Sequence, residues 1–316
     1  MLSLDDFEPV TLEDRSFFRQ HYSQYPQVHS DNTFTNMVCW NHYANYHYAY
    51  VQDNLILTST IDGKTRFRPP IGPRNPALLK DLVRLAACTG DNEPIILIDQ
   101  NSASWIQSLY PRIDMAPDRD QSEYVYSASD LSTLQGRDYV YIRREINRFK
   151  RNYTYDIEPI TPANGHHIKD FLDQWYASRN EEDGTLAISE KEAVLYGIDH
   201  MAETGLSGLT IRVDGKIGAI SMFETMNSDT ALIHFEKGLQ EYPGIYKIIN
   251  QETASLLAKQ FTYINRESDM GVPGLREAKL RYHPHHMVDV YSAMRPKTIC
   301  PVHWLIKRKC PACCMT

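Results

Sequence analysis

The sequence predicts an α/β (α+β) protein in which two units follow one another, each a mixed sheet flanked by helices. A chain of 316 residues exceeds the usual size of one domain and suits two domains of roughly 150 residues each. Strand-like and helix-like segments alternate up to about Asp130, and a second alternating series begins near Tyr155. The 42% hydrophobic and 23% charged composition is that of a soluble globular protein.

Strand and helix signals in the first half follow one another at short intervals. Residues 54–72 read as two strands around the Asp62-Gly63 turn, because Asp-Gly suits a tight hairpin. Leucines and alanines at helical spacing predict a helix over 75–88. The other elements predicted here are a strand after Tyr46, strands at 94–100 and 122–127, and a helix at 102–110.

An amphipathic helix is predicted over 136–153, as the connection between the two halves. Its apolar stripe consists of Tyr139, Ile142, Ile146 and Phe149, and the arginines nearly opposite are Arg137, Arg144, Arg148 and Arg151. The arginine face is either ordinary solvated surface or a surface for a phosphate-rich partner. The predicted boundaries are 1–135 for a degenerate first unit, 136–153 for the connector, 154–296 for the second unit with the active site, and 297–316 for a Cys-rich tail.

The order of elements in the second half is informative. It comprises a strand at 155–160, helices near 165–180 and 189–203, a hairpin over 207–225 around Asp214-Gly215, a strand at 231–238, a helix at 245–260, a strand at 261–265 and a helix from Gly274 limited by Pro284. This is the order of a GNAT acyltransferase core, in which two central parallel strands splay apart and substrates enter at their carboxyl ends. The residues expected to converge on that opening are Glu236, Lys237, Asn265, Arg266 and Glu267.

Several motifs carry a more particular resemblance. The segments HFEKG, YPGIYKIIN, YINRESDMG and GLREAKLRYHP resemble the phosphatidylglycerol lysyltransferase C-terminal domain family, including its uncharacterised cytoplasmic branch. In the first half, HSDNTFTNMVCW, RFRPPIG and the basic helix also resemble that branch, so the likeness runs from about residue 5 to residue 294. Members of the family are similar to the Fem peptidoglycan aminoacyltransferases in carrying two GNAT units in tandem.

The resemblance implies transfer of an aminoacyl group, in the lysyltransferases from aminoacyl-tRNA to a lipid hydroxyl. The basic helix between Arg137 and Arg151 is then a candidate surface for tRNA. The sequence has no counterpart of the membrane-spanning flippase portion of the lipid-modifying enzymes, so a small-molecule acceptor is open beside a lipid. The nearest rival is an acyl-CoA-dependent N-acyltransferase, and a rival of another class is a non-catalytic protein that binds an anionic metabolite.

The family carries a basic pair where this chain has Arg276 and Lys279. Helical spacing places both on one face, and their repulsion would be relieved by a bound carboxylate or phosphate. The alternative is a pair of surface cations on a helix where Glu277 balances Arg281.

Acyl transfer needs groups that move protons and stabilise an oxyanion. Glu236, Glu267 and Asp269 are candidates to hold or deprotonate an amino group, and Arg266 or Lys279 to stabilise negative charge. Tyr282 is a candidate to protonate a leaving group. The alternative for each carboxylate alone is a structural salt bridge.

One loop bears on the co-substrate, which is aminoacyl-tRNA or acyl-CoA. GNAT enzymes that use coenzyme A bind its pyrophosphate with backbone N–H groups in a Q/R-x-x-G-x-G/A turn that opens a helix. The corresponding segment, LQEYPGIYK at 239–247, retains only Gly244 from that pattern, and Pro243 removes a donor. The loop therefore favours a donor other than acetyl-CoA without excluding CoA.

Charge and cysteine content limit the remaining interpretations. The net charge of −7 argues against wrapping of nucleic acid over the whole surface. The pairs Cys300/His303 and Cys310/Cys313 have zinc-ligand spacings, but the short gap between them also suits a tail with reduced thiols, and no metal site is predicted. Without a signal peptide or a run of roughly 18 apolar residues, the expected location is the cytoplasm, with peripheral membrane association open.

Overall fold

The computed structural model describes residues 2–89, 91–178 and 184–294. The α-helices in these ranges are α1 (Arg15–Gln24), α2 (Phe34–Cys39), α3 (Asn41–Ala44), α4 (Pro76–Ala87), α5 (Gln100–Leu109), α6 (Ala128–Thr133), α7 (Val140–Asn152), α8 (Gly165–Ala177), α9 (Gly184–Asp199), α10 (Met201–Thr204), α11 (Ile245–Leu257) and α12 (Pro273–Leu280). The strands are β1 (Glu8–Pro9), β2 (His47–Val51), β3 (Asn54–Ile61), β4 (Lys64–Phe67), β5 (Ile95–Asp99), β6 (Asp114–Pro117), β7 (Glu123–Ser127), β8 (Tyr155–Pro159), β9 (Ser207–Val213), β10 (Lys216–Thr225), β11 (Thr230–Gly238), β12 (Tyr263–Ser268), β13 (His286–Val288) and β14 (Val290–Met294).

The chain forms two compact units whose boundaries differ from the predicted ones. Unit 1 contains the residues up to Asp14, Asn41–Ser122 and the described residues from Val288. Unit 2 contains Arg15–Trp40 and Glu123–Met287. Each unit is therefore assembled from separate stretches of the chain.

Long-range strand pairing and packing explain the difference. The strand β7 precedes the predicted boundary, yet it pairs with β12 in the sheet of unit 2. The strand β14 lies near the end of the described chain, yet it pairs with β5 in the sheet of unit 1. The predicted connector, α7, packs Ile142, Ile146 and Phe149 into the core of unit 2. Local periodicity predicts such elements but not their partners.

Unit 1 is built on a seven-stranded mixed sheet with the order β1-β2-β3-β4-β5-β14-β6. The pair β4 and β5 is parallel, and the other neighbours are antiparallel. One face of this sheet packs against α4 and α5 around Phe67, Ile95 and Ala293. The predicted turn between β3 and β4 is confirmed, since Asp62 and Gly63 both have positive φ, at 51° and 72°.

Unit 2 is built on a second seven-stranded mixed sheet with the order β13-β7-β12-β11-β10-β9-β8. One face packs against α7 and α11, and the other against α8 and α9. The pair β11 and β12 is parallel, and the predicted hairpin from β9 to β10 turns at Asp214 and Gly215. The prediction of two mixed sheets, each flanked by helices, is confirmed.

None of the helices within the described ranges combines the length and the apolar content that crossing a membrane requires. The Cys-rich tail and its zinc-ligand spacings lie outside the described residues.

Candidate active site

The central parallel strands β11 and β12 are paired over their first halves and then diverge. They pair only where Thr230–Leu232 lies beside Tyr263–Asn265, although β11 continues to Gly238 and β12 to Ser268. The edge of β12 towards β7 is irregular over the same stretch, and Glu267 there has a φ of 59°. The result is a gap between two neighbouring strands at their carboxyl ends, where α/β folds commonly bind ligands.

Side chains span this gap on both faces of the sheet. On one face, Nδ1 of His234 lies 3.0 Å from Oε1 of Glu267. On the other, Nη2 of Arg266 donates to Oε1 of Glu236 at 3.2 Å. Because consecutive strand residues point to opposite faces, the residues expected to converge on one opening are instead divided between two clusters. We call them the histidine face (Thr35, Glu224, His234 and Glu267) and the arginine face (Tyr126, Glu236, Lys247, Asn250, Arg266 and Tyr282).

The histidine face is a hydrogen-bonded chain of charged side chains. Nε2 of His234 lies 2.8 Å from Oε1 of Glu224, whose Oε2 accepts from the Thr35 hydroxyl at 2.7 Å. Burial alone would lower the pKa of His234, but hydrogen bonds to Glu224 and Glu267 raise this pKa to about 10. The imidazole is therefore positively charged at neutral pH and lies between two carboxylates.

Glu267 is the accessible member of the histidine face. Its side chain is 28% exposed, against 2% for His234. Burial raises the pKa of Glu267, and the hydrogen bond to His234 offsets only part of this effect. Among the described residues, no side chain donates to its second oxygen, Oε2. With two carboxylates and one imidazolium, this face carries surplus negative charge beside the gap.

The arginine face is centred on a buried ion pair between aromatic rings. The Arg266 guanidinium lies 5.0 Å from the ring centre of Tyr282 and 5.6 Å from that of Tyr126. With its oxygen turned towards Arg266, the Asn250 amide accepts from Nη1 at 3.2 Å. Burial raises the pKa of the Tyr282 phenol, so this hydroxyl stays protonated.

Lys247 adds a second cation to the arginine face. It lies half-buried in the first turn of α11, and no carboxylate of the described residues forms an ion pair with it. Burial lowers its pKa, Glu145 and Glu236 oppose that change, and Arg266 adds to it. Lys247 is therefore a cation available to a guest molecule on this face.

Arg276 and Lys279 are occupied by groups of the protein itself. Nε and Nη2 of Arg276 each donate to Asp269 at 2.8 Å, and the Tyr124 hydroxyl donates to the same carboxylate. The Lys279 ammonium donates to the carbonyls of Arg266, Glu267 and Ser268 at 2.6, 3.0 and 2.5 Å. The predicted guest anion is not needed to relieve their repulsion, because Asp269 and these carbonyls supply the negative charge. The two cations hold the last residues of β12 and the Asp269 that follows them in place.

Burial and neighbouring charges shift the pKa of both Lys279 and Asp269 at the end of β12. Burial lowers the pKa of Lys279 to about 8, although Glu267 counteracts this. Burial alone would raise the pKa of Asp269, but hydrogen bonds from Arg276, Tyr124 and the Gly271 N–H hold it well below the usual range. The predicted helical pair of Glu277 and Arg281 is present at 2.5 Å on the exposed side of α12.

Two predicted binding residues lie away from the gap. Lys237 points towards α8 and α9, where its ammonium is 2.6 Å from Glu190 and 4.4 Å from the Trp175 ring centre. Asn265 is fully buried and donates to Glu123 at 2.7 Å. Both residues are engaged in internal contacts of unit 2.

The amino end of α11 is covered by another helix. Gly244 caps this helix with a φ of 99°, and a Cβ placed there would lie 3.1 Å from the Glu145 carbonyl oxygen of α7. Tyr242 packs edge-on against Tyr153, with ring centres 5.4 Å apart. Backbone and aromatic rings therefore occupy the place where the sequence comparison put a phosphate-binding turn.

Comparison with known proteins gives the family. The family described as phosphatidylglycerol lysyltransferase, C-terminal, matches residues 22–294. The chain belongs to this family. The resemblance recognised from the motifs is thereby confirmed over nearly the same range.

Solved structures extend the comparison to the fold of this lysyltransferase-family chain. A conserved protein of unknown function from Bacteroides thetaiotaomicron is 29% identical with a TM-score of 0.85, covering 92% of this chain and 99% of that one. L-PGS from Bacillus licheniformis is 16% identical with a TM-score of 0.64, covering 96% and 99%. FemX is 9% identical with a TM-score of 0.55, covering 96% and 100%. The predicted tandem GNAT-like, Fem-like fold is confirmed. A search of curated proteins found no match.

Sequence reasoning missed several members of the two faces. His234 stands in the HFEKG motif next to Glu236, and its position in that motif was the signal that could have found it. Glu224 lies one residue before the end of β10, and Lys247 follows the Pro243-Gly244 turn within the YPGIYKIIN motif. Without the pairing of β11 with β10 and β12, nothing in these segments shows that the side chains meet.

Proposed function

We propose that this lysyltransferase-family chain transfers an aminoacyl group from aminoacyl-tRNA to a lipid-borne or small-molecule acceptor. The observation that carries the proposal is the surplus negative charge of the histidine face beside the gap between β11 and β12. An aminoacyl ester bears an ammonium group, which such a site attracts through charge-assisted hydrogen bonds. An acetyl group bears no charge, so with acetyl-CoA as donor the same charge would act only on an acceptor amine.

The two faces supply complementary chemistry for ester aminolysis or transesterification. The acceptor hydroxyl or amine attacks the ester carbonyl and gives its proton to Glu267, whose raised pKa makes it a better base than an ordinary carboxylate. Negative charge develops on the carbonyl oxygen, and the candidates to stabilise it are Arg266 and Lys247, which lie across the gap on the arginine face. The bond to the tRNA ribose oxygen breaks, and the neutral Tyr282 phenol is the candidate donor of a proton to that oxygen. Glu236 orients Arg266.

The covered amino end of α11 favours tRNA over coenzyme A as the molecule that carries the transferred group. A pyrophosphate needs exposed N–H groups at a helix amino end, whereas α7 lies against Gly244 here. The opposite side of α7 offers a different anion-binding surface. We call it the arginine stripe. It consists of the exposed residues Tyr141, Arg144, Arg148 and Arg151, spaced by three or four residues on α7, and the exposed Arg137, which precedes the helix.

The arginine stripe has the features of a surface for nucleic acid. Among the described residues, no carboxylate pairs with its four arginines, whereas Arg143 and Lys150 beside them contact the protein. Tyr141 is 50% exposed in the middle of the stripe and offers a ring on which a base can stack. Unpaired arginines bind a phosphate backbone by releasing counterions.

A donor comparison tests the proposed function. Purified protein is incubated with a pool of radiolabelled aminoacyl-tRNAs or with acyl-CoAs, each with a lipid extract and with a small-molecule extract as acceptor pools. We expect protein-dependent loss of the ester from tRNA, and a labelled product in one acceptor pool. Turnover of a thioester without tRNA would instead establish the CoA-dependent alternative. Ligand binding without turnover of either donor would establish a binding protein.

Removal of two arginines from the stripe should weaken tRNA binding in a salt-dependent way. For Arg144→Gln with Arg148→Gln, we expect the slope of log K against log salt concentration to fall by roughly 1.5 to 2, because two phosphate contacts are lost. Fluorescence anisotropy with labelled tRNA at several salt concentrations measures this slope. The matched control is Arg19→Gln, an exposed arginine of α1 in the same unit. An unchanged slope in the double variant would assign the stripe to solvent or to another partner.

A further inference from the structure

Arg68 in unit 1 is a buried cation without a carboxylate partner. It belongs to the RFRPPIG segment, which has no part in the proposed transfer, and it is only 1% exposed. Among the described residues, no Asp or Glu forms an ion pair with it. A guanidinium does not lose its proton in a protein, so burial cannot neutralise Arg68 as it can a lysine.

Arg68 uses few of the N–H donors of its guanidinium group. A guanidinium has five N–H donors, and within the described structure Arg68 uses Nη1 to donate to the Ser59 hydroxyl at 2.8 Å. Its Nε is buried and finds no acceptor there. The ring of Tyr46, 5.3 Å away, offsets part of the charge by a cation–π contact. A buried charge with unused donors is costly unless an anion satisfies it.

The unused edge of the guanidinium has a defined shape. Nε and Nη2 form the side-on edge that matches two oxygens of a carboxylate or phosphate. Arg276 uses this same edge for Asp269, with both bonds at 2.8 Å. In Arg68 the bond to Ser59 uses Nη1 and leaves the side-on edge free. A guest oxyanion can therefore bind Arg68 as Asp269 binds Arg276.

The backbone holds Arg68 in place before any ligand arrives. Its N–H donates to the Leu57 carbonyl at 2.9 Å, and the two prolines that follow restrict the chain. Beyond them, Ile71 and Leu55 exchange hydrogen bonds at 2.8 and 2.9 Å. A group held in this way loses little entropy when it binds a ligand.

A second unsatisfied group shares this side of the sheet. The Ser292 hydroxyl is buried and has no hydrogen-bond partner within the described structure. Phe67 and Ala293 both face the core with α4, so strand alternation sends their neighbours Arg68 and Ser292 to the other face. Only β5 separates β4 from β14, which places the two residues about 10 Å apart. Ser292 is therefore a second buried polar group on the face that carries Arg68.

We propose that this face of the unit 1 sheet binds a small molecule bearing a carboxylate or a phosphate group, with Arg68 as the anion-binding residue. The site is separate from the histidine and arginine faces of unit 2. It does not depend on the proposed transferase activity, and it gives unit 1 a binding role where the sequence predicted a degenerate scaffold.

The test is the thermal unfolding and calorimetric titration of the full chain with inorganic phosphate, acetate and chloride at constant ionic strength. We expect phosphate or acetate to raise the unfolding midpoint of the wild type, and chloride to have no comparable effect. In Arg68→Met, binding of the active anion should weaken roughly tenfold or more, because a charged bidentate contact is lost. Arg112→Met, which removes an exposed arginine of unit 1, should respond like the wild type. A response to phosphate alone identifies a phosphate ligand, and one to acetate alone a carboxylate.

Stability supplies an independent readout. In chloride alone, Arg68→Met should be at least as stable as the wild type, since the substitution removes an uncompensated buried charge. If this variant does not fold, Arg68→Lys keeps the charge without the side-on edge, and we expect it to bind the anion more weakly. The proposal is overturned if neither phosphate nor acetate stabilises the wild type, or if the Arg68 variant that folds responds as strongly as the wild type.

Discussion

Glu267→Gln should lower the turnover of aminoacyl-tRNA by roughly 100-fold or more, the range typical for loss of a general base. Gln preserves the shape of the side chain and can still accept the hydrogen bond from His234, but its amide cannot take a proton from the acceptor. We expect the change in kcat to exceed the change in KM, because substrate contacts away from Oε2 remain. The measurement is single-turnover release of the aminoacyl group from tRNA.

The control for this variant is Glu277→Gln, which makes the same substitution on the exposed side of α12. In the part of the chain that the structure describes, Glu277 pairs only with Arg281 in an exposed i,i+4 contact, so activity should stay close to that of the wild type. Anisotropy should show tRNA binding by Glu267→Gln within a few-fold of the wild type. If Glu267→Gln retains wild-type turnover, then Glu267 is not the base and the assigned chemistry fails.

Asp269→Asn should have the largest effect on stability. The Asp269 carboxylate is fully buried and receives Arg276, the Tyr124 hydroxyl and the Gly271 N–H. Breaking a buried ion pair costs about 3–5 kcal/mol, and because the Arg276 side chain is 33% exposed we expect a loss of about 2–4 kcal/mol. Urea denaturation followed by circular dichroism measures the free energy of unfolding. Activity should also fall, since Asp269 anchors the chain that carries Glu267.

The pH dependence of this loss follows from the pKa of Asp269, which is held well below its usual range by Arg276, Tyr124 and Gly271 against the opposing effect of burial. The folded protein therefore binds fewer protons here than the unfolded chain does, and the stabilisation is full above about pH 5 and declines in acid. The difference between wild type and Asp269→Asn should shrink as the pH falls below about 4. Asp170→Asn, on the exposed surface of α8, should change stability by no more than about 0.5 kcal/mol. Equal stability of Asp269→Asn and the wild type at pH 7 would contradict an anchoring role.

Local elements were predictable because their signals are local. The Asp-Gly turns, the leucine spacing of α4 and the apolar stripe of α7 depend on residues a few positions apart. The order of elements in unit 2 and the motifs around β11, β12 and α12 identified the family. Even the pair of Glu277 and Arg281 followed from helical spacing alone.

The division of the chain into units was not predictable in this way. The sequence shows β7 and β14 as strands, but their pairing with β12 and β5 depends on contacts between segments far apart in the chain. The partners of Arg276 and Lys279 were also not predictable from the sequence. The sequence shows two cations on one helix face. Only the path of the chain at the end of β12 shows that Asp269 and three backbone carbonyls already satisfy them.

The sequence by itself determined the class of fold, the family and the segments from which a site could be built, because these depend on spacing and on residue type. Only the tertiary structure decided how the charges are grouped. It placed Glu236 with Arg266 and Glu267 with His234 on opposite faces of one gap. The physical reason lies in the strands. Alternation along β12 separates Arg266 from Glu267, and the extra residue of β11 at His234 turns His234 and Glu236 to different faces. Strand pairing then brings together Glu224, His234 and Glu267 from three strands.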